Sequence, residues 1–168
     1  WAKIANIAVL TDEQVRFSSP SAEAAVRDAL VGAIAARQDI TFTDPAVTAI
    51  ADTRPASITN GISAITASGT NAAAVRADVG TLMTTLANNN LPYGQSVWIT
   101  NSAVAIQLYL MRNALDQPEF PQMMPDGGIF MGRPMIVSDH ISSSGSPSGS
   151  LLILMIPQEV YLSDDGQV

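Results

Sequence analysis

The chain contains no cysteine and a single histidine, His140. The first absence excludes a disulfide framework, thiolate catalysis and any Cys-ligated zinc or iron–sulfur centre. The second excludes every multi-His metal site. Charge is also scarce, at 14% of residues where a quarter is usual. Positive charge is scarcer still, with 8 Lys+Arg against 15 Asp+Glu and a formal net charge of −7. Lys3 is the one lysine and the arginines stand singly. No basic patch can be built from them, which excludes a nucleic-acid binder that works by neutralising phosphates. Long apolar runs are missing too. The longest, Leu151–Ile156, is far short of the roughly 20 residues that a membrane-spanning helix needs. No signal peptide is visible and the chain opens on Trp1, so the expectation is a piece of something longer.

What is there suits a folded domain. The 168 residues are 47% apolar, enough for one ordinary domain or two halves sharing a core, and incompatible with intrinsic disorder. Few charges on so small a chain lead us to expect that part of its surface rests against other subunits.

The segment Lys3–Thr11 reads as a strand, followed by a turn region from Asp12 to Ser18. Ser19 is a natural N-cap, Pro20 suits the first helical position, and Glu23 falls in the first turn. Val26, Leu30, Ala33, Ile34 and Arg37 then recur at helical spacing to about Gln38, and Leu30 is expected in the core. Residues 39–69 carry turn signals, with short strands expected at Ile40–Thr43 and Ile62–Thr66. A second helix, capped by Thr70 or Asn71, shows an apolar stripe of Val75, Val79, Leu82, Met83 and Leu86, and Asn88-Asn89-Asn90 ends it. Ser96–Thr100 reads as a strand. Asn101 caps a third helix to about Arg112, with Val104, Leu108 and Met111 on its inner face. Strands follow at Ile129–Met131, Met135–Val137, Leu151–Ile156 and Val160–Leu162, and Ser142–Ser150 reads as a flexible loop. The fold class is α+β or α/β with a mixed sheet.

Candidate chemistry is thin. Asp139-His140 beside a serine-rich loop raises a Ser/His/Asp hydrolase. However, the nearest match to a nucleophile elbow, Gly145-Ser146-Pro147-Ser148-Gly149, has Pro147 at its centre. Adjacent Asp and His also point apart on an extended backbone, so His140 reads as a solvated loop residue. Glu119, Asp126 and Asp139 could converge as glycosidase carboxylates. Asp164-Asp165-Gly166 lacks the spaced ligands of a calcium loop, and Asp126-Gly127-Gly128 reads as a turn. No phosphate loop or dinucleotide fingerprint is present. Met123-Met124 could mark a binding surface or fill a core, and Trp98 reads as a core residue. The sequence therefore points to no catalytic, cofactor or metal residue, and to no enzyme.

Several segments together resemble the major capsid proteins of tailed bacteriophages, whose shell fold is shared with encapsulins and herpesvirus capsid floors. The first block is Lys3-Ile4-Ala5 with Ile7–Glu13, then Ser18, the long helix, and Asp39-Ile40-Thr41-Phe42. It is similar to that family's strand, acidic turn, spine helix and Asp-x-x-Phe ending. The second is Val97–Asn101 leading into a helix to Met111, followed after Asp116-Gln117-Pro118 by Ile129–Val137 with its Gly132-Arg133-Pro134 step. Leu151–Ile156 and Val160–Leu162 fit the closing strands.

The resemblance implies an α+β capsid-like fold. Residues 1–45, the strand and spine helix, would belong to a peripheral domain, and residues 46–168 to a mixed-sheet axial domain. It implies a bacteriophage or prophage head subunit in the virion, made in the host cytoplasm. Such a subunit assembles with copies of itself into hexamers and pentamers that enclose DNA without specific binding, touching no membrane. An acidic chain can line such a container without adhering to the genome. The family's N-terminal arm, extended loop and last peripheral strand do not fit in this chain, and the parent chain is expected at about twice this length. The alternatives are an encapsulin-type compartment shell and a small hydrolase using His140; a secreted binding module is a third.

Overall fold

The computed structural model describes residues 4–13, 20–141 and 149–161. Ser19, most of the Ser142–Ser150 loop, Leu162 and Asp164-Asp165-Gly166 lie outside them. The architecture is mixed α+β. Its helices are α1 (Pro20–Thr43), α2 (Ala72–Asn88) and α3 (Ser102–Leu110). Its strands are β1 (Val97–Thr100), β2 (Met123–Met124), β3 (Gly127–Phe130), β4 (Arg133–Val137) and β5 (Leu152–Met155). They form one sheet in the order β2-β3-β4-β1-β5. β1 and β4 run parallel, and the other pairs are antiparallel.

Register sorts the side chains. Trp98 pairs with Met135 and with Leu154, while Ile99 pairs with Ile136 and with Ile153. Successive residues alternate between faces, so Trp98, Met135 and Phe130 share one face and Ile99, Ile136 and Ile129 the other. The first face carries the core. Trp98 and Phe130 are fully buried and meet edge to face at 5.4 Å between ring centroids, and Phe120 meets Phe130 at 5.0 Å. Val79 from α2 and Ala105 and Leu108 from α3 complete the cluster, with Val75, Leu82 and Met83 packed around it. Both helices therefore lie on the Trp98 face.

Local chemistry places these helices. The Asn71 side chain accepts from the Ala74 amide at 2.8 Å and caps α2, and Asn101 does the same for α3 from Val104 at 3.0 Å. Each such cap stabilises its helix by about 1 kcal/mol. At the far end of α2, Asn90 adopts φ 57° and the Leu91 amide bonds back to the Leu86 carbonyl, a left-handed stop that asparagine tolerates well. The β3–β4 hairpin closes through Met131 and Gly132, both at positive φ (49° and 77°), as a two-residue turn matched to strand twist requires.

The structure departs from the sequence reading in several places. α1 runs through Thr43, so Ile40–Thr43 is helix and not strand; Thr41 and Thr43 hydroxyls bond back to the Arg37 and Asp39 carbonyls and keep β-branched residues in the helical turn. Residues 4–11 form no strand, with Ile7 and Val9 almost wholly exposed: nothing in the described residues offers them a ladder. Ile62–Thr66 and Val160-Tyr161 are also without strand pairing. Met123-Met124 forms strand β2, for which no element is predicted, and Gly127-Gly128, read as part of a turn, opens β3. Leu30 is only half-buried, and among the described residues of α1 from Ser21 onward only Thr43 is buried. The helix, about 36 Å long at 1.5 Å per residue, runs clear of the core instead of adding to it.

Candidate assembly surface

The residues raised as catalytic do not come together. Asp126, Asp139 and His140 are exposed. The His140 backbone amide donates to Ser138 Oγ at 3.3 Å, and within the described residues its ring has no serine or carboxylate partner. The Glu119 side chain is 5% exposed and already engaged in an ion pair with Arg76 of α2, so it is committed to holding the 111–120 loop. No group of three or more acidic or histidine side chains that could hold a metal occurs among the described residues. Met123 is buried in the core while Met124 faces out, so the methionine pair is split by strand alternation.

One polar cluster is structural. The Tyr93 hydroxyl donates to the Met131 carbonyl at 2.7 Å, and the Arg133 guanidinium stacks 5.7 Å from the Tyr93 ring centroid while donating to the Gly94 carbonyl. Burial pushes the Tyr93 phenol above its ordinary value, opposed by the neighbouring Trp98 indole N–H and the Arg133 charge. That indole N–H is buried beside the phenol without a well-aligned hydrogen bond. The cluster clamps the β3–β4 turn to the segment before β1.

The surface is more distinctive than any cleft. On α3, Ala105 and Leu108 face the core while Ile106, Tyr109 and Leu110 are 42%, 45% and 58% exposed. Spacings of three and four residues put those three side chains on one outward ridge. No residue from Ser102 to Leu110 is charged. An uncharged helix with apolar side chains on more than one side is ordinarily covered on more than one side, and this one is covered on one side only.

The second face of the sheet is also apolar. Ile99 there is buried, but Ile129, Pro134 and Ile136 on the β3–β4 half are exposed, Ile136 by 52%. Exposed Ile7 and Val9 near the N-terminus, and Val31 and Ile34 on α1, add further uncovered apolar surface. The sequence signals for these patches are an uncharged helix and the strands Ile129–Met131 and Met135–Val137, which lack polar residues on their outward side. Exposed apolar patches of this kind are suited to contact with other apolar protein surface.

The chain is 44% identical over 167 residues, 99% of its length, to the capsid polyprotein of Pseudomonas phage PAJU2. The resemblance to phage capsid proteins read from the sequence is thereby borne out. The chain spans 25% of that relative, so the relative is about four times as long as this chain rather than twice. No protein-family profile matches the chain, and no solved structure matches it.

Proposed function

We propose that this chain is part of a bacteriophage or prophage head subunit that assembles with copies of itself into hexamers and pentamers around packaged DNA. The observation that carries the reading is the 44% identity, over 99% of the chain, to a phage capsid polyprotein. The exposed apolar surfaces on α1, α3 and the sheet support it, since apolar patches of this kind mark protein–protein contact. So does the net charge of −7, which lets a shell lining face DNA without gripping it. In this reading residues 1–45 contribute to a peripheral domain and residues 46–168 form an axial domain. The protein resides in the virion after assembly in the host cytoplasm, and its role is structural rather than enzymatic. Nothing observed at His140 favours hydrolysis.

The test is the intact mass and sedimentation of the gene product isolated from its native source. A longer parent chain that sediments as rings or megadalton shells is the expected result. A native product that stays monomeric at every concentration would overturn the reading.

A further inference from the structure

Two apolar patches lie on opposite sides of the same sheet. One is the outward ridge of α3, Ile106, Tyr109 and Leu110; the other is the bare sheet surface of Ile129, Pro134 and Ile136. They are opposite because α3 packs its Ala105–Leu108 side onto the Trp98 face, and the second patch belongs to the Ile99 face.

The patches match in kind. A mainly antiparallel sheet that turns one face to water ordinarily puts polar side chains there, whereas Ile129, Pro134 and Ile136 make this face apolar. Here α2 and α3 cover one face, and the β3–β4 half of the other is open. A helix packs on a sheet by laying an apolar stripe across it, and α3 carries a second such stripe with nothing on it.

We propose that the α3 ridge of one copy docks on the exposed Ile129–Pro134–Ile136 surface of the next copy, which rests on the self-assembly reading above and names the surfaces it uses. Charge selects a second copy as the occupant. Copies of net charge −7 repel one another, so they meet at lowest cost where no charge is present. None of the six side chains is charged, and neither patch offers an ion-pairing group to an acidic or basic partner.

Area points the same way. Three side chains per patch fall well short of the roughly 800 Å² per partner in a standard interface, so one such contact alone is weak. A copy that uses both patches gains two such contacts. Because the two surfaces differ, the contact is head-to-tail, and it closes into a ring when the rotation per copy allows.

The absence of cysteine makes the test direct. Leu110→Cys and Ile136→Cys are introduced separately into the 168-residue chain, and each is treated with a short bis-maleimide cross-linker alone and mixed with the other. The expected result is a cross-linked dimer in the mixture at least tenfold above either variant alone. Should Leu110→Cys fail to fold by near-ultraviolet circular dichroism, Gln107→Cys, exposed on the same helix, replaces it. Equal 110–110 or 136–136 products would overturn the head-to-tail contact. Absence of the 110–136 product while the full-length subunit still forms rings or shells would overturn this inference alone. A full-length subunit that never assembles would overturn the self-assembly reading itself.

Discussion

The Ser138 hydroxyl donates to the Asp39 carboxylate at 2.6 Å, across 99 residues of sequence. This bond ties the last turns of α1 to the end of β4, where the Ser138 amide in turn donates to the Thr100 carbonyl of β1. Around it, Thr59 donates to the Thr43 carbonyl at 2.7 Å and the Ile58 amide to Phe42. The long helix is thus held by polar contacts at its C-terminal end.

Ser138→Ala is therefore expected to lower stability by about 1.5–3 kcal/mol, the range for a hydrogen bond to a charged acceptor. Denaturant unfolding measures the loss. A double-mutant cycle with Asp39→Ala should return most of it as coupling, and hydrogen exchange should show faster opening of residues 39–43 with the sheet unchanged. Additive single effects would mean that the two groups act independently.

The Arg76–Glu119 pair has unequal partners, with side chains 57% and 5% exposed. Removing the arginine strands a buried carboxylate, whereas Glu119→Gln leaves a neutral group. Arg76→Ala should therefore cost more than Glu119→Gln, by roughly 1–2 kcal/mol after allowance for the solvated arginine. Paired urea titrations decide the order.

Tyr93 gives a pH signature. Its phenol is raised from 10.0, mainly by burial, so the folded chain favours the neutral form more than the unfolded chain does. That contribution is fully present below pH 10 and is lost as pH rises through the higher folded value. The urea midpoint of the unsubstituted chain should fall as pH rises above 10, and Tyr93→Phe should flatten that fall while costing about 1 kcal/mol at neutral pH through the lost bond to Met131. An unchanged slope in the variant would assign the alkaline loss to another group.

Two glycines of the hairpin region separate close approach from backbone freedom. At Gly128, with φ 107°, an added Cβ would stand 2.5 Å from the Gln122 carbonyl oxygen; at Gly132, with φ 77°, nothing lies within 4 Å. Gly128→Ala should cost roughly 2 kcal/mol or more. Gly132→Asn should stay within about 1 kcal/mol, since asparagine tolerates the left-handed region. Thermal melts of the two variants provide the comparison.

Much of this architecture was legible in the chain. Thr70-Asn71 and Asn101 announced two helix starts, the first of which the structure assigns to Asn71; the Val75–Leu86 stripe gave α2 its inner face, and Trp98 between Val97 and Ile99 marked the central strand. Missing was the identity of whatever covers each apolar face. Periodicity shows that Leu30 and Ile34 share a side of α1, and the same pattern arises whether that side meets its own core or another chain. Ile7 and Val9 read as strand residues because their chemistry suits a ladder, yet a ladder needs a partner edge that no local pattern can supply. Ile40–Thr43 misled in the opposite sense: β-branched propensity is weak beside a helix already propagating and back-bonded threonines.

The last prediction follows from that distinction. Leu30 was expected in the core, where a buried unpaired charge would unfold the chain; the structure leaves it half-buried on a helix that runs clear of the core. Leu30→Asp should therefore change the stability of the isolated chain by only about 1 kcal/mol. Trp98→Ala, which empties the centre of the Phe130–Met135 cluster, should cost about 3–5 kcal/mol. If α1 is covered by other copies in a shell, Leu30→Asp should instead act on assembly, lowering the yield of rings or shells from full-length subunit whose monomer melts almost normally. Equal losses of monomer stability in both variants would return Leu30 to the core and remove α1 from the assembly surface.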